Sequence, residues 1–461
     1  MAHDDANDRY DSPNETDGGY GTPTDPLTRS DSWFARRGFL KLSGVATSGI
    51  AAAGLADTAS AATTVSGIQF DRVVDAVDDL GMDSSGSQPI DGALDRALQS
   101  GTLVEFPPGT YRFEDSHYLD GESRVGIRGT GSSQRDVRFV SPRGSRLKFL
   151  RGDNVRSVLL ENFSLDHRRD DATLISLVVL GPGGSVLRDI EWLGQTPSDS
   201  GSDYNVTVEA THRDGVQLVE HLVTGVDAPS VKVQYPNGVQ FLRGGPGHSG
   251  EVIIRDLVVH NHNSNGTRYT HCTGVVTIEG GEFVNNQNAS VRFGAGDHPS
   301  KVSTCTGTYI KADGSRNAAD AIRLDASGNG YSGSVFQDVH IDWGDEDGRA
   351  VIASPDWGGH GRASFYDCVV RNEGPLPTVF ADDPDGYSGD GAFVFENCSF
   401  TGAGGDFVTR GREGCVIRDS CIDMPNAEFS GFDTENITNG SCPLPRDSGT
   451  SGGDGSSNDD T

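Results

Sequence analysis

Three basic residues recur at one position of a repeated short segment: Lys232 in SVKVQY (230–235), Arg292 in ASVRFG (289–294) and Arg323 in AIRLDA (321–326). The residue before each, Val231, Val291 or Ile322, is apolar, so strand alternation turns the cation to the opposite, outer face. Stacked cations suit carboxylate recognition. β-Elimination at a uronic acid needs that neutralisation, a base for the C5 proton, and often calcium held by carboxylates. Lys232, Arg292 and Arg323 answer the first two needs, and Asp320 with Asp325 would supply the calcium ligands. A histidine-rich stretch adds His248, His260, His262 and His271, with Asn285, Asn286 and Asn288 one repeat later. His271 is a further candidate for the catalytic set, and His262, Asn286, Asp382 and Arg410 are candidate substrate contacts. No carboxylate or Cys stands at recognised zinc spacing from these histidines. The bland alternative is a set of cross-coil ion pairs on a solvated surface, which are common and contribute little.

The elements that must position these residues come from a repeat. An alternating apolar segment ending at an Asp or Asn and resuming after it is read as VLLENFSL (158–165), VLRDIEWL (186–193), VIIRDLVV (252–259), SVFQDVHI (334–341), ASFYDCVV (363–370), FVFENCSF (393–400) and CVIRDSCI (415–422). Looser copies at 217–224, 276–283 and 302–309 place His221, Gly280 and Thr306 in the same column. The intervals run from 22 to 35 residues, a range typical of solenoids with one supersecondary unit per period. Each unit holds two or three short strands between Gly, Asn and Asp turns and no helix, so the expected fold is an all-β, right-handed parallel β-helix. The residue after the column, Phe163, Ile190, Leu222, Leu257, Val339, Cys368 or Cys398, is expected inside. The Asp/Asn column itself reads as turn-forming rather than catalytic.

Ahead of the coils, Ile90–Leu98 has apolar residues at Ile90, Leu94, Ala97 and Leu98, the spacing of a short amphipathic helix. A strand, a Pro-Pro-Gly turn and a second strand follow over 102–113. Such a helix would cap the open end of the core. Helix and VEFPPGTYRF together resemble the N-terminal cap of the pectate-lyase-like superfamily, and with the Asp/Asn column the resemblance spans about residues 67–425. It implies the β-helix fold and a polysaccharide partner, but not an activity, because lyases, hydrolases, epimerases and binding proteins share the scaffold. Gly359-His360-Gly361 is similar to a polygalacturonase tripeptide, yet Asp382-Asp383 follows it instead of preceding it, which argues against that hydrolase.

Composition frames the rest. The 461 residues carry a formal net charge of -30, with 50 Asp to 17 Glu and 32 Arg to 5 Lys. That excess excludes general affinity for nucleic acid, and its bias resembles that of haloarchaeal exported proteins working in strong salt. Residues 1–34 are too polar to fold alone. Residues 35–61 carry Arg36-Arg37, a modest apolar run and Ala59-Ser60-Ala61, a pattern resembling a twin-arginine export signal. The expected partition is then a cap over 62–115, coils over 116–425, a C-terminal cap over 426–445 and a flexible tail over 446–461. No segment reaches the length of a membrane span, so the expected location is extracellular or at the cell surface, without stable membrane insertion and reached through the twin-arginine export machinery. Seven cysteines leave at least one unpaired, and Cys421 or Cys415 joined to Cys442 would pin the C-terminal segment. Two functions follow as expectations: a β-elimination lyase of an acidic, uronate-containing glycan, or a non-catalytic glycan-binding or cell-surface protein.

Overall fold

The computed structural model describes residues 62–168, 173–196, 204–228, 239–294, 298, 300–314, 318–325, 333–344, 350–354, 362–382 and 391–445, within the compact unit Ala59–Thr461. The leader, the paired-arginine segment, Lys232, the Gly-His-Gly tripeptide, Asp383 and the tail lie outside the described residues.

The chain winds as a right-handed parallel β-helix. Each turn lays one strand into a twelve-stranded parallel sheet that runs from Tyr118–Asp120 to Phe429–Ser430. The rest of each turn joins a second parallel stack, which already starts at Arg72–Asp75 and Ser85–Pro89 and ends at Asp433–Glu435 and Thr438–Asn439. In most coils this second contribution is split in two, as Glu251–Arg255 and Val258–His260. Where it is split the break falls on the Asp/Asn column, and in Leu159–Asp166, Val186–Leu193 and Val216–Thr224 the column residue lies within one strand; Asn162, Asp189, His221, Asp256, Asp338, Asp367, Asn397 and Asp419 all have φ between 47° and 60°. Left-handed backbone costs most residues about 1–2 kcal/mol, and Asn, Asp and Gly least, which explains why the column is written in those types. Their side chains also bond across coils, Asn436 Nδ2 donating to Asp419 Oδ1 at 2.6 Å. One window is displaced by a residue. Gly307 (φ 64°), not Thr306, stands at the turn, because Ser303 pairs with Ser334 and brings Gly307 opposite Asp338.

The residues after the turn point inward as the alternation requires, and Cys368 and Cys398 are buried hydrophobes there. Phe293, Phe336, Phe365 and Phe395 stack in succession through the interior at centroid distances of 4.5–5.3 Å. Asp91–Ala97 is the helix, burying Leu94 and Ala97 against the first coils. The Asp91 carboxylate accepts the N–H groups of Glu114 and Asp115, which ties the helix to the chain entering the next coil. At the other end Cys421 is bonded to Cys442, while Cys415 is a buried free thiol.

The outer face of the second stack carries an orderly column just before the Asx turn. Glu105, Arg128, Glu161, Arg188, Glu220, Arg255 and Glu279 are successive ladder partners, alternating in charge at every step.

Candidate functional site

On the twelve-stranded sheet the ladder pairs Thr207 with Arg243, Arg243 with Arg268, Arg268 with Arg292 and Arg292 with Arg323. Four arginines thus occupy one outward column on four consecutive coils. Inward neighbours hold each in register: Leu242, Thr267, Val291 and Ile322 are all buried. Arg292 and Arg323 are where the alternation put them. Lys232 lies outside the described residues; the strand beside Thr267–Tyr269 is Gln240–Gly244, and its column residue is Arg243. Arg243 and Arg268 were missed because Gln240–Gly244 mixes polar and apolar residues and Thr267–Tyr269 is only three residues long. A readable signal existed in the recurring Arg flanked by two inward residues.

The two ends of the column differ. Arg292 and Arg323 are 6% and 2% exposed, so the expected solvated surface is corrected to a buried one. Arg292 Nε donates to Asp325 Oδ2 at 2.6 Å, Arg323 Nε to Asp325 Oδ1 at 3.2 Å, and Arg323 Nη1 lies 3.4 Å from Asp320 Oδ2. The guanidiniums hold the Asp325 carboxyl below its ordinary range although burial alone would raise it. Burial in turn lowers Arg292, with Asp325 opposing that effect. Both carboxylates are claimed by guanidinium groups, so the pair does not fit a calcium ion in this arrangement. Among the described residues no cluster of three or more His, Cys, Asp or Glu stands ready to hold a metal.

At the other end, Arg243 and Arg268 are only half-buried and neither has an ion-pair partner among the described residues. The Arg243 guanidinium stacks on the Tyr204 ring, 4.9 Å from its centroid. Arg268 Nε donates to Thr270 Oγ1 at 3.2 Å. Burial pushes Arg268 down to about 10, helped by repulsion from Arg292, Arg243 and Arg323. Two unit charges one strand spacing apart repel by about 3 kcal/mol at an effective dielectric near 20. Asp325 and Asp320 offset that cost at one end, and among the described residues no carboxylate forms an ion pair with Arg243 or Arg268 at the other.

His271 follows Arg268 by three residues, exposed on the rim with φ 57°. Loss of water and the Arg268 charge lower its pKa, which keeps it neutral and able to accept a proton at neutral pH. The other candidates are dispersed. His262 lies inside the coil, 2% exposed, with Nε2 3.2 Å from Asn205 Oδ1. Asn286 is also interior and donates to the Val259 carbonyl. Both were expected at the substrate face; their polar atoms serve the protein's own interior instead, because the chain turns inward after Val258–His260. Asp382 and Arg410 pair at 3.5 Å two and three coils beyond Arg323, with Arg410 exposed over Phe380.

No protein-family model and no curated protein matches the chain. Solved structures of similar fold include the Agl-KA catalytic domain, at TM-score 0.47 and 12% identity over 80% of this chain and 68% of that one. A surface adhesin of Streptococcus pneumoniae aligns at TM-score 0.42 and 13% identity, over 82% and 96%. The catalytic unit of an α-1,3-glucanase from Streptomyces thermodiastaticus aligns at 0.40 and 15%, over 84% and 72%. At such identities no residue of the site is matched to theirs, and its chemistry rests on its own geometry.

Proposed function

We propose that the protein binds an acidic, uronate-containing glycan along the twelve-stranded sheet and cleaves it by β-elimination. What carries this reading is the adjacent pair Arg243 and Arg268, half-buried and without a carboxylate partner among the described residues of a chain of net charge -30. An unpaired guanidinium pair in a partly dehydrated setting is a receptor for a planar oxyanion. A uronate carboxylate held there has its charge neutralised, which makes the adjacent C5 proton more acidic. Neutral His271, three residues past Arg268, takes that proton in this reading. Asp325 acts by fixing Arg292 and Arg323 behind them.

The test is incubation of the protein with pectate, alginate and related uronans in molar salt, following absorbance of the unsaturated uronate product. Arg268→Ala should lower the rate by about 100-fold or more, while His271→Ala should abolish turnover and leave binding intact. Chelation by EDTA should leave the rate unchanged. A second reading, a non-catalytic glycan-binding protein, draws on the closure of Arg292 and Arg323 by their own carboxylates. Glycan binding with flat absorbance on every polymer decides for it. Export is part of the same proposal: replacing Arg36 and Arg37 by Lys should retain the protein inside the cell.

A further inference from the structure

Glu209 stands at the end of the strand Tyr204–Ala210, two residues past Thr207, the ladder partner of Arg243. It is 8% exposed, and its Oε1 accepts the Gly245 N–H at 2.7 Å. The turn that wraps it, Gly244-Gly245-Pro246-Gly247, is glycine wherever it passes the carboxyl. A Cβ at Gly245 would fall 2.7 Å from Oε1, and one at Gly247 2.4 Å from Oε2. Among the described residues Oε2 takes no hydrogen bond. Arg243 feels the Glu209 charge but does not close an ion pair with it, being stacked on Tyr204 instead. A carboxyl and a guanidinium are therefore held side by side and unjoined at the open end of the arginine column. Two strand spacings, about 10 Å, separate the Glu209 strand from that of Arg268, with Arg243 between. Glu209, two residues past the column on the coil before Arg243, and His271, three residues past it on the coil of Arg268, thus both lie beyond the two guanidiniums along the strand direction.

We propose that Glu209 is the acid of this site, delivering its proton to the glycosidic oxygen that leaves C4. The inference rests on the elimination reading above. His271 takes the C5 proton, and the C5–H electron pair becomes the C4=C5 double bond. The C4–O bond breaks with its pair on oxygen, and that oxygen takes the proton from Glu209 Oε2. One chain end becomes an unsaturated uronate and the other a free hydroxyl. Glu209 is left as carboxylate and His271 as imidazolium, and water returns the proton from one to the other. The groups facing Glu209 are Arg243, Tyr269 and Cys272, besides the Gly245 N–H. Burial raises its carboxyl above the ordinary range against the opposing pull of Gly245 and Arg243, which favours the protonated form the step needs.

The experiment compares wild type and Glu209→Gln, both full-length, on a polyuronate and on a synthetic uronide whose C4 substituent leaves as a phenolate. A phenolate needs no proton donor. On the polymer the variant should lose about 10²- to 10⁴-fold in kcat with KM unchanged, and the alkaline limb of the wild-type pH–rate profile should vanish. On the phenolate substrate it should stay within a few-fold of wild type. Equal losses on both substrates, or full activity on the polymer, would overturn the proposal. If Glu209→Gln fails a thermal-melt check, Glu209→Asp replaces it: slowing on the polymer alone supports the acid, and equal slowing on both sinks it. A wild type that yields no unsaturated product from any uronan defeats the elimination reading and the acid with it. An active wild type with an unimpaired variant defeats the acid alone.

Discussion

Glu105, Arg128, Glu161, Arg188, Glu220, Arg255 and Glu279 alternate in charge along the second stack, whereas Arg243, Arg268, Arg292 and Arg323 repeat one charge along the twelve-stranded sheet. The strand spacing is the same in both ladders. In the first, every arginine meets a carboxylate above or below, as Arg255 meets Glu279 at 2.7 Å and Arg188 meets Glu161 at 2.7 Å. In the second, repulsion accumulates, and the ion pairs that offset it include those of Asp325 and Asp320 at the buried end. An alternating ladder needs no ligand to be content. A like-charged one leaves a deficit that an anionic ligand can fill.

The buried end of the second column should break most severely. Asp325→Ala leaves Arg292 and Arg323 without their shared partner in a site a few per cent exposed, and such a loss costs about 3–5 kcal/mol. Urea unfolding should show the midpoint fall with little change in slope. Replacing the group as a whole, Arg292→Met and Arg323→Met with Asp320→Leu and Asp325→Leu, should come much closer to neutral, because the desolvation of four ions is removed with their attraction. A single-variant loss under about 1 kcal/mol would mean the pairs are as wet as those of the alternating ladder.

Burial also sets a pH dependence. His167 Nε2 accepts the Ile175 N–H and His248 Nδ1 accepts the Ala210 N–H, and burial pushes each pKa down to about 4. Both rings are neutral when folded, while an unfolded histidine titrates near 6.5. Between those values the unfolded state binds more protons, so stability falls as pH drops from about 6.5 to about 4 and levels off below. Each ring accounts for up to about 3 kcal/mol over that window. Thermal melts of His167→Gln and His248→Gln should show this acid sensitivity reduced.

Much of this was legible in the sequence because one residue per turn is stereochemically constrained. The Asp/Asn column must take positive φ, so residue type reports geometry directly, and the inward residues after it follow by alternation. The displaced window at 302–309 shows the limit, since Gly307 satisfies the same backbone while its polar neighbour Thr308 turns inward. The alternating ladder was equally readable, standing one residue before that column. Sites on the twelve-stranded sheet were harder, because Thr267–Tyr269 has no aliphatic pattern and only cross-coil pairing aligns Arg268 with Arg292. Glu209 was invisible for a different reason: its partner is a backbone N–H in a glycine turn 36 residues away.

A smaller and opposite effect is expected at the open end of the column. Among the described residues Arg268 has no ion-pair carboxylate to lose, and three guanidiniums press on it against the pull of Asp325, so Arg268→Met should leave stability unchanged or raise it by up to about 1 kcal/mol while abolishing glycan binding. A clear loss of stability would show that Arg268 is structural and would close the gap between the two ends.

The smallest effect belongs to the alternating ladder. Arg255 and Glu279 are each about 40% exposed, and an exposed pair contributes about 0–1 kcal/mol. Arg255→Ala should therefore cost less than about 1 kcal/mol in dilute buffer. In molar salt the Debye length shrinks to about 3 Å, comparable with the pair's own 2.7 Å separation, and the cost should fall towards zero. Asp325→Ala should keep most of its penalty under the same salt, because counterions do not reach a pair only a few per cent exposed. Measuring both variants across a salt series places the two ladders on one axis. Parallel decline would mean that solvent reaches both, whereas divergence with rising salt is what two ladders in different dielectric surroundings require.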